Sequence, residues 1–405
     1  MSKTINGRLK NLDKYIQKKW DKHYWNFITR HEDKINWDYI SDNPNLTMDM
    51  VDNNPDKEWD WFYLSENPNL TMKFIDKYID KEWNWNYISC NPNITLEIIE
   101  NNLDKPWDWE SISSNPNITI EFINKYPNVK WNWYVILQNL NITIEIIEQN
   151  PNIQREWNSL SFNPNITMDF IDKYSDKQWN WTAISESPNL TIQFINKYPD
   201  VSWYWPKISQ NPNINMEDIE NNLDKPWHWD SISRNPNMTM DFIEKHEDLL
   251  NWLSISSNPN ITMDIIEKNP DKPWAWHWVA IQQNPNLTME IIEKNPKKDW
   301  YWRVISINPN ITMKDIENNM DKSWDWRYGI SINTNLTMEM IDNSPNKPWS
   351  WDSISKNKFS KEKELFYQKY YKIYIATFRL QQYFNRMYDN PDYLFCRTRL
   401  EKLFS

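Results

Sequence analysis

Apolar and polar positions along this chain follow a two-beat pattern that returns about every 24 residues. One beat is seen in "NPNITIEFINKYP", residues 115–127. Phe122, Ile123 and Tyr126 share a face at helical spacing. Thr119 is placed as an N-cap, with Glu121 in the first turn, where the positive pole of the helix favours an acid. Ile118 and Ile123 occupy the N′ and N4 positions of a hydrophobic staple. Pro127 ends the segment, which predicts a helix of two to three turns. The second beat is "PWDWESISSNP". Here Trp107 reads as N′, Asp108 as the cap, Trp109 as the first helical residue and Ile112 as N4, a second staple. Pro116 pushes Asn115 out of helical geometry, so this helix is predicted to end near Ser114. At about six residues it is short enough to be partly 3-10.

The pattern is an array. Asn-Pro-Asn or a variant begins at residues 43, 67, 91, 115, 139, 163, 187, 211, 235, 258, 284, 308 and 333, and a degenerate half-copy covers residues 22–42. A fixed period in this range marks repeats that stack. Neither short helix is stable alone, so neighbours must bury the Ile/Phe/Tyr stripe and the tryptophans. Asn115-Pro116-Asn117 is expected to form the corner between units, with the Trp107 and Trp109 rings as core. A β repeat is the competing reading. Its period-2 alternation lasts only three residues at Trp-x-Trp, and no L-x-x-L-x-L run is present. The expected fold is therefore all-α: an elongated solenoid of about 13–14 two-helix repeats with a C-terminal helical cap. Its segments are a basic N-terminal helix and degenerate capping repeat (1–42), the repeat array (43–355) and a basic aromatic C-terminal segment (356–405).

The Asn-Pro-Asn-[Ile/Leu]-Thr corner at this period resembles the leucine-rich-repeat variant family. That resemblance implies an α-helix paired with a 3-10 helix in each unit, wound as a right-handed superhelix. It covers residues 43–355 in period and corner and departs at the second helix, which here carries Trp-x-Trp-x-x-Ile-Ser. The cysteine cluster that some members place before the array is missing, so an iron–sulfur role does not carry over. The Asn/Ile/Lys-rich, tryptophan-paired style is also similar to tandem-repeat proteins encoded by giant DNA viruses, a likeness that implies no assigned chemistry.

Composition sharpens this picture. The 405 residues include 28 Trp and 24 Pro but only 2 Gly, which leaves no glycine-rich phosphate loop. Two cysteines, Cys90 and Cys396, cannot build a disulfide framework, and a reducing compartment is expected. The N-terminal sequence shows no apolar signal region and no apolar run reaches membrane length, so a cytoplasmic protein is expected, in the host cytoplasm or a virion if viral, and not a secreted one. Charge is uneven. Residues 1–22 carry seven Lys/Arg and two Asp, and residues 356–405 carry eleven Lys/Arg and five Asp/Glu, so the body between them holds −22 of the chain's −11 total. Such a body disfavours nucleic acid and favours basic partners.

Candidate chemistry is sparse. Asn-x-Thr glycosylation acceptors occur in twelve of the thirteen copies, but Thr already serves as a helix cap. The five histidines, His23, His31, His228, His246 and His277, lack metal-ligand spacing. Carboxylates recur where capping and solubility need them, and no catalytic motif appears. We therefore expect no catalytic residues, cofactor, metal or small-molecule substrate. A tryptophan ladder for glycans is the sharper alternative, with Trp274 in "WAWHW" the best exposed contact because the spacing stretches there. Residues 361–388 read as one long helix whose seam is Phe366, Tyr370, Ile373, Thr377, Leu380 and Phe384, expected to fold back over the last unit. The function expected is a non-enzymatic protein–protein interaction scaffold acting through the face where copies differ. A structural virion component and a glycan-binding surface protein are the alternatives.

Overall fold

A computed structural model describes residues 2–150, 156–276 and 284–389. Trp278, His277 and Cys396 lie outside the described residues. Among the described residues every regular element is helical, mostly α with short 3-10 pieces. The chain divides into two compact units, one of Ile35–Asn333 with Lys347–Asn357, the other of Met1–Lys34, Thr334–Asn346 and Lys358–Ser405.

The larger unit is the array. In the repeat around residue 115 the first helix is Ile120–Lys125, and Thr119 Oγ1 accepts from the Phe122 amide. The second helix is Trp109–Ile112, capped by Asp108, whose carboxylate accepts from the Ser111 amide. The first helix is shorter than the two to three turns expected. Its last helical residue is Lys125, and the chain leaves helical geometry at Tyr126 before reaching Pro127. Successive second helices touch laterally.

Two polar ladders fix the register between units. The first Asn of most corners is buried and donates backwards: Asn67 Nδ2 reaches the Ser41 carbonyl at 2.8 Å and the Asn43 carbonyl at 3.2 Å. Asn91, Asn115, Asn235, Asn258, Asn284 and Asn333 donate in the same way to the unit before them. The serine that follows the core isoleucine makes the second ladder. Ser89 Oγ accepts the Asp108 amide at 3.0 Å, and Ser113 Oγ accepts the Asn132 amide at 2.9 Å while donating to the Trp109 carbonyl. Buried backbone groups at helix ends are costly unless paired, and these side chains pair them across the joints.

The Asn ladder does not end. Asn357 donates to the carbonyls of Ser331 and Asn333 in the usual pattern. Asn43, the first copy, donates to the carbonyls of Ser355 (2.8 Å) and Asn357 (3.1 Å), as if the last unit preceded it in sequence. The Asn36 amide donates to Ser355 Oγ at 3.0 Å, the serine ladder's own bond. The helices Trp37–Ser41 and Trp351–Lys356 are in lateral contact, and the Lys356 ammonium sits 3.6 Å from the Tyr39 ring centre. Within this unit the array thus closes on itself. The all-α two-helix repeat is as expected, whereas the elongated solenoid with free ends is corrected: Ser355 and Asn357 give Asn36 and Asn43 the ladder partners that a preceding unit supplies elsewhere.

One joint is weaker. Where other units place the ladder serine, this one has Leu137, and the Asn139 amide group makes none of the ladder bonds. The second corner asparagine, Asn141, still reaches the Pro116 carbonyl at 3.0 Å. A lengthened unit is absorbed at Gly329, where a Cβ would stand 2.4 Å from Ser306 Cβ and 2.5 Å from the Asp325 carbonyl oxygen.

The smaller unit pairs the long helices Ser2–Arg30 and Ser360–Asp389. They run antiparallel, with Phe359 against Phe27, Phe366 against Trp20 and Tyr367 bonded to Gln17. Glu362 caps the short helix Met338–Asn343 by accepting from the Met338 amide, and Asp342 takes both Arg30 (2.6 Å) and His31 (2.7 Å). Phe359 holds the position of the corner's second Asn, and its φ of 46° turns the chain out of the repeat into the long helix. The fold-back expected for the seam is corrected in its distal half. Phe366 packs on Trp20, whereas Ile373, Leu380 and Phe384 are exposed. Trp20 and Phe27 of the N-terminal helix supply the apolar partners for the proximal half.

Candidate interaction surface

The paired tryptophans are built into the joints. The Trp107 indole is buried, and its Nε1–H donates to the Asn102 carbonyl at the end of the unit's first helix, at 2.6 Å. Trp109 is half-buried and meets the next unit's Trp131 edge-on with ring centres 5.6 Å apart, with Tyr126 at 5.1 Å. The same edge-on pair recurs as Trp61–Trp83, Trp85–Trp107, Trp205–Trp227 and Trp302–Trp324. Ile112, Ile118 and Ile123 are buried beneath them. The exposed role expected of Trp274 is corrected. It is only 4 % exposed, its Nε1–H donates to the Asn269 carbonyl at 2.6 Å, and Trp252 packs against it. It holds the place that Trp107 holds in its own unit; the stretched spacing begins after it.

Asn115 and Asn117 are more than a corner. Asn115 Oδ1 accepts the Asn117 amide at 2.9 Å, which sets the turn around Pro116, and its Nδ2 serves the ladder. Asn117 Nδ2 donates to the Pro92 carbonyl of the unit before. Asn117 is the acceptor asparagine of the Asn-x-Thr triplet, so the nitrogen that a glycan would occupy is already bonded. The equivalent nitrogens of Asn69, Asn93, Asn165, Asn189, Asn237 and Asn286 are engaged likewise.

Charged side chains also tie neighbouring units. Lys77 pairs with Asp52, Lys125 with Glu100, Lys173 with Glu148 and Lys245 with Glu220, at 2.6–3.0 Å. The bond from Lys77 holds the Asp52 carboxyl below its ordinary range, and bonds from Lys197 and Tyr198 do the same for Asp172. These pairs are exposed and contribute little each. Among the described residues no group of His, Cys, Asp and Glu is placed to hold a metal ion, and no helix is long and apolar enough to cross a membrane.

What differs between units is the solvent-facing side of the second helices. Its second and third residues are Phe62 and Tyr63, Asn86 and Tyr87, Glu110 and Ser111, Tyr134 and Val135, Asp230 and Ser231, or Arg303 and Val304. Near the closure these residues form an aromatic row. Tyr39 meets Tyr63 at 6.3 Å, Phe62 meets Tyr63 at 5.7 Å and Tyr87 at 5.2 Å, all edge-on. The negative charge of nearby Glu66 raises the Tyr87 phenol above the usual range, and burial pushes the nearby Cys90 thiol up. Sequence reading reached neither the closure nor this row.

Comparison with protein-family models, curated proteins and solved structures gives no match. The repeated helical pattern therefore rests on the structure itself, and the two family resemblances remain resemblances.

Proposed function

We propose that this protein is a non-enzymatic scaffold that binds protein partners through the variable face of its second helices. The observation that supports this most is the division of labour among side chains. The recurring Asn, Ser and Trp residues are engaged at the joints between units and the Thr residues cap their own helices, whereas the exposed positions of the second helices change from unit to unit. A frame held constant while its surface varies suits recognition of extended partners. The acidic body favours basic ones, through association rate more than affinity. Burial of Trp274 and the engaged first tryptophans support this reading over a glycan ladder of exposed indoles.

The test is affinity capture of the full chain from the native cell with crosslinking and mass spectrometry. The scaffold reading expects a stoichiometric protein partner whose crosslinks fall on second-helix surface positions. Recovery of the chain with no partner, or with crosslinks only in residues 356–405, would overturn it.

A further inference from the structure

The two basic stretches of the chain meet at one end of the smaller unit. The helices Ser2–Arg30 and Ser360–Asp389 run antiparallel, and their contacts step from Phe27 with Phe359, through Trp20 with Phe366 and Gln17 with Tyr367, to Asp13 with Tyr371. Beyond that last contact one helix runs back to Ser2 and the other runs on to Asp389. Residues 2–12 carry Lys3, Arg8 and Lys10, and residues 365–388 carry Lys369, Lys372, Arg379 and Arg386, with no Asp or Glu in either stretch. The C-terminal helix also bears an open apolar stripe there, in which Ile373, Leu380, Tyr383 and Phe384 are 50–60 % exposed. At 3.6 residues per turn these four and Ala376 fall within an arc of about 100° and along about 16 Å of helix. Lys372, Arg379 and Arg386, seven residues apart and all exposed, follow one edge of that arc.

We propose that this end of the helix pair binds an anionic membrane surface. Among the described residues no helix is long and apolar enough to cross a membrane, so the contact is a peripheral one. Helices of this kind sink an apolar face into the boundary between headgroups and acyl chains and keep their cations at the phosphates. Lys and Arg at the edge of the stripe reach back to the headgroups along their own apolar stems. Tyr383, apolar in body and polar at its tip, suits that depth. Three other occupants fit less well. Nucleic acid takes the cations but has no use for Ile373, Ala376 and Leu380, which cannot stack on bases. A second copy sets one wholly cationic end against another. A partner helix is held in register by flanks of both signs, whereas every charge between Glu364 and Asp389 is positive. A surface of uniform negative charge asks for no register and matches such a stretch. The inference goes beyond the scaffold reading: it gives the frame an anchor and makes no use of the variable face.

The experiment is co-flotation of the full-length protein with vesicles of phosphatidylcholine alone or with about one third phosphatidylserine. Flotation is expected with the phosphatidylserine vesicles only, and is lost as salt rises from about 0.1 M to about 1 M and screens the charges. Leu380→Gln with Phe384→Gln, and separately Arg379→Gln with Arg386→Gln, should each weaken partition about tenfold. The thermal midpoint should stay unchanged, because all four side chains are exposed. Ile375→Gln, on the same helix but outside the arc, should float like the parent. Equal flotation with neutral vesicles, or paired variants that float like the parent, would overturn the inference. So would an absence of flotation, whether the end then captures a fluorescein-labelled single-stranded DNA or dimerises through Leu380 and Phe384 in light scattering. A protein partner crosslinked to the variable face would stand whatever the vesicles show, so the two readings fail separately.

Discussion

Asn115→Ala is the most informative single change to the joints. Asn115 is fully buried and makes five bonds: its Nδ2 donates to the carbonyls of Ser89 (3.0 Å), Asn91 (3.3 Å) and Ile94 (3.0 Å), and its Oδ1 accepts the Asn117 amide (2.9 Å) and Asn117 Nδ2 (3.1 Å). Alanine keeps the backbone but leaves a corner amide and neighbouring carbonyls without these partners. Each buried group left unsatisfied costs about 1–3 kcal/mol. The Ile94 carbonyl is partly rescued by Asn117 Nδ2 at 3.5 Å. Two groups fully orphaned give an expected loss of about 3–5 kcal/mol. Asn139→Ala is the matched control, because Asn139 lacks the ladder bonds and keeps only the bond from the Asn141 amide; its expected cost is about 1 kcal/mol. Urea unfolding followed by tryptophan fluorescence measures both, and unchanged slopes would show that stability alone has moved. Equal losses at the two positions would refute the ladder as the source of register.

Thr119→Ala should cost about 1 kcal/mol through the lost cap, and Trp107→Ala about 3–5 kcal/mol through the buried cavity, both read by the same unfolding curves. Gly329→Ala should destabilise by about 1–3 kcal/mol, because the added methyl meets Ser306 and the Asp325 carbonyl. Acid should loosen the lysine–carboxylate joints. Asp52 and Asp172 are held below the ordinary aspartate range, so their contribution is present above that range and is lost as pH falls through the lowered folded values. Asp172→Asn should flatten stability in that window, lowering it modestly at pH 7, where the contribution is fully present, and changing little at pH 2, checked by thermal melts from pH 2 to 7.

Much of the repeat was legible because it is written in local chemistry. Thr119 and Asp108 cap their helices in the manner their spacing implies, and each cap needs only residues within its own turn. The closure was not legible. It depends on the accumulated turn per unit, a small angle that no single residue encodes, and on Ser355 and Asn357 meeting Asn36 and Asn43 far along the chain. The ladder was hidden for a related reason: Asn115 reads locally as a turn residue, and its Nδ2 partners lie 21–26 residues back. Trp274 was misread because an extra tryptophan downstream drew attention to exposure, although its Lys-Pro-Trp context matches Trp107. The Tyr39–Tyr63–Tyr87 row did sit in the sequence at the 24-residue period. Its signal was a tyrosine in three successive copies where most others place Ser, Ala or Val, Lys207 and Tyr328 being the exceptions, and copy-by-copy comparison of that position would have found it.

Closure of the array is the central claim, and a crosslink across the join tests it most directly. Asn36 Nδ2 lies 2.8 Å from Asp352 Oδ1, so Asn36→Cys and Asp352→Cys place two thiols within the span of a short bifunctional thiol crosslinker, which does not demand disulfide geometry, in a Cys90→Ser, Cys396→Ser background. Treatment of the dilute monomer with such a reagent, followed by electrophoresis and peptide mapping, reads the result. The account predicts near-complete formation of an intramolecular 36–352 crosslink with no loss of helicity. Singly modified thiols under those conditions, or a crosslink that joins only separate chains, would contradict it.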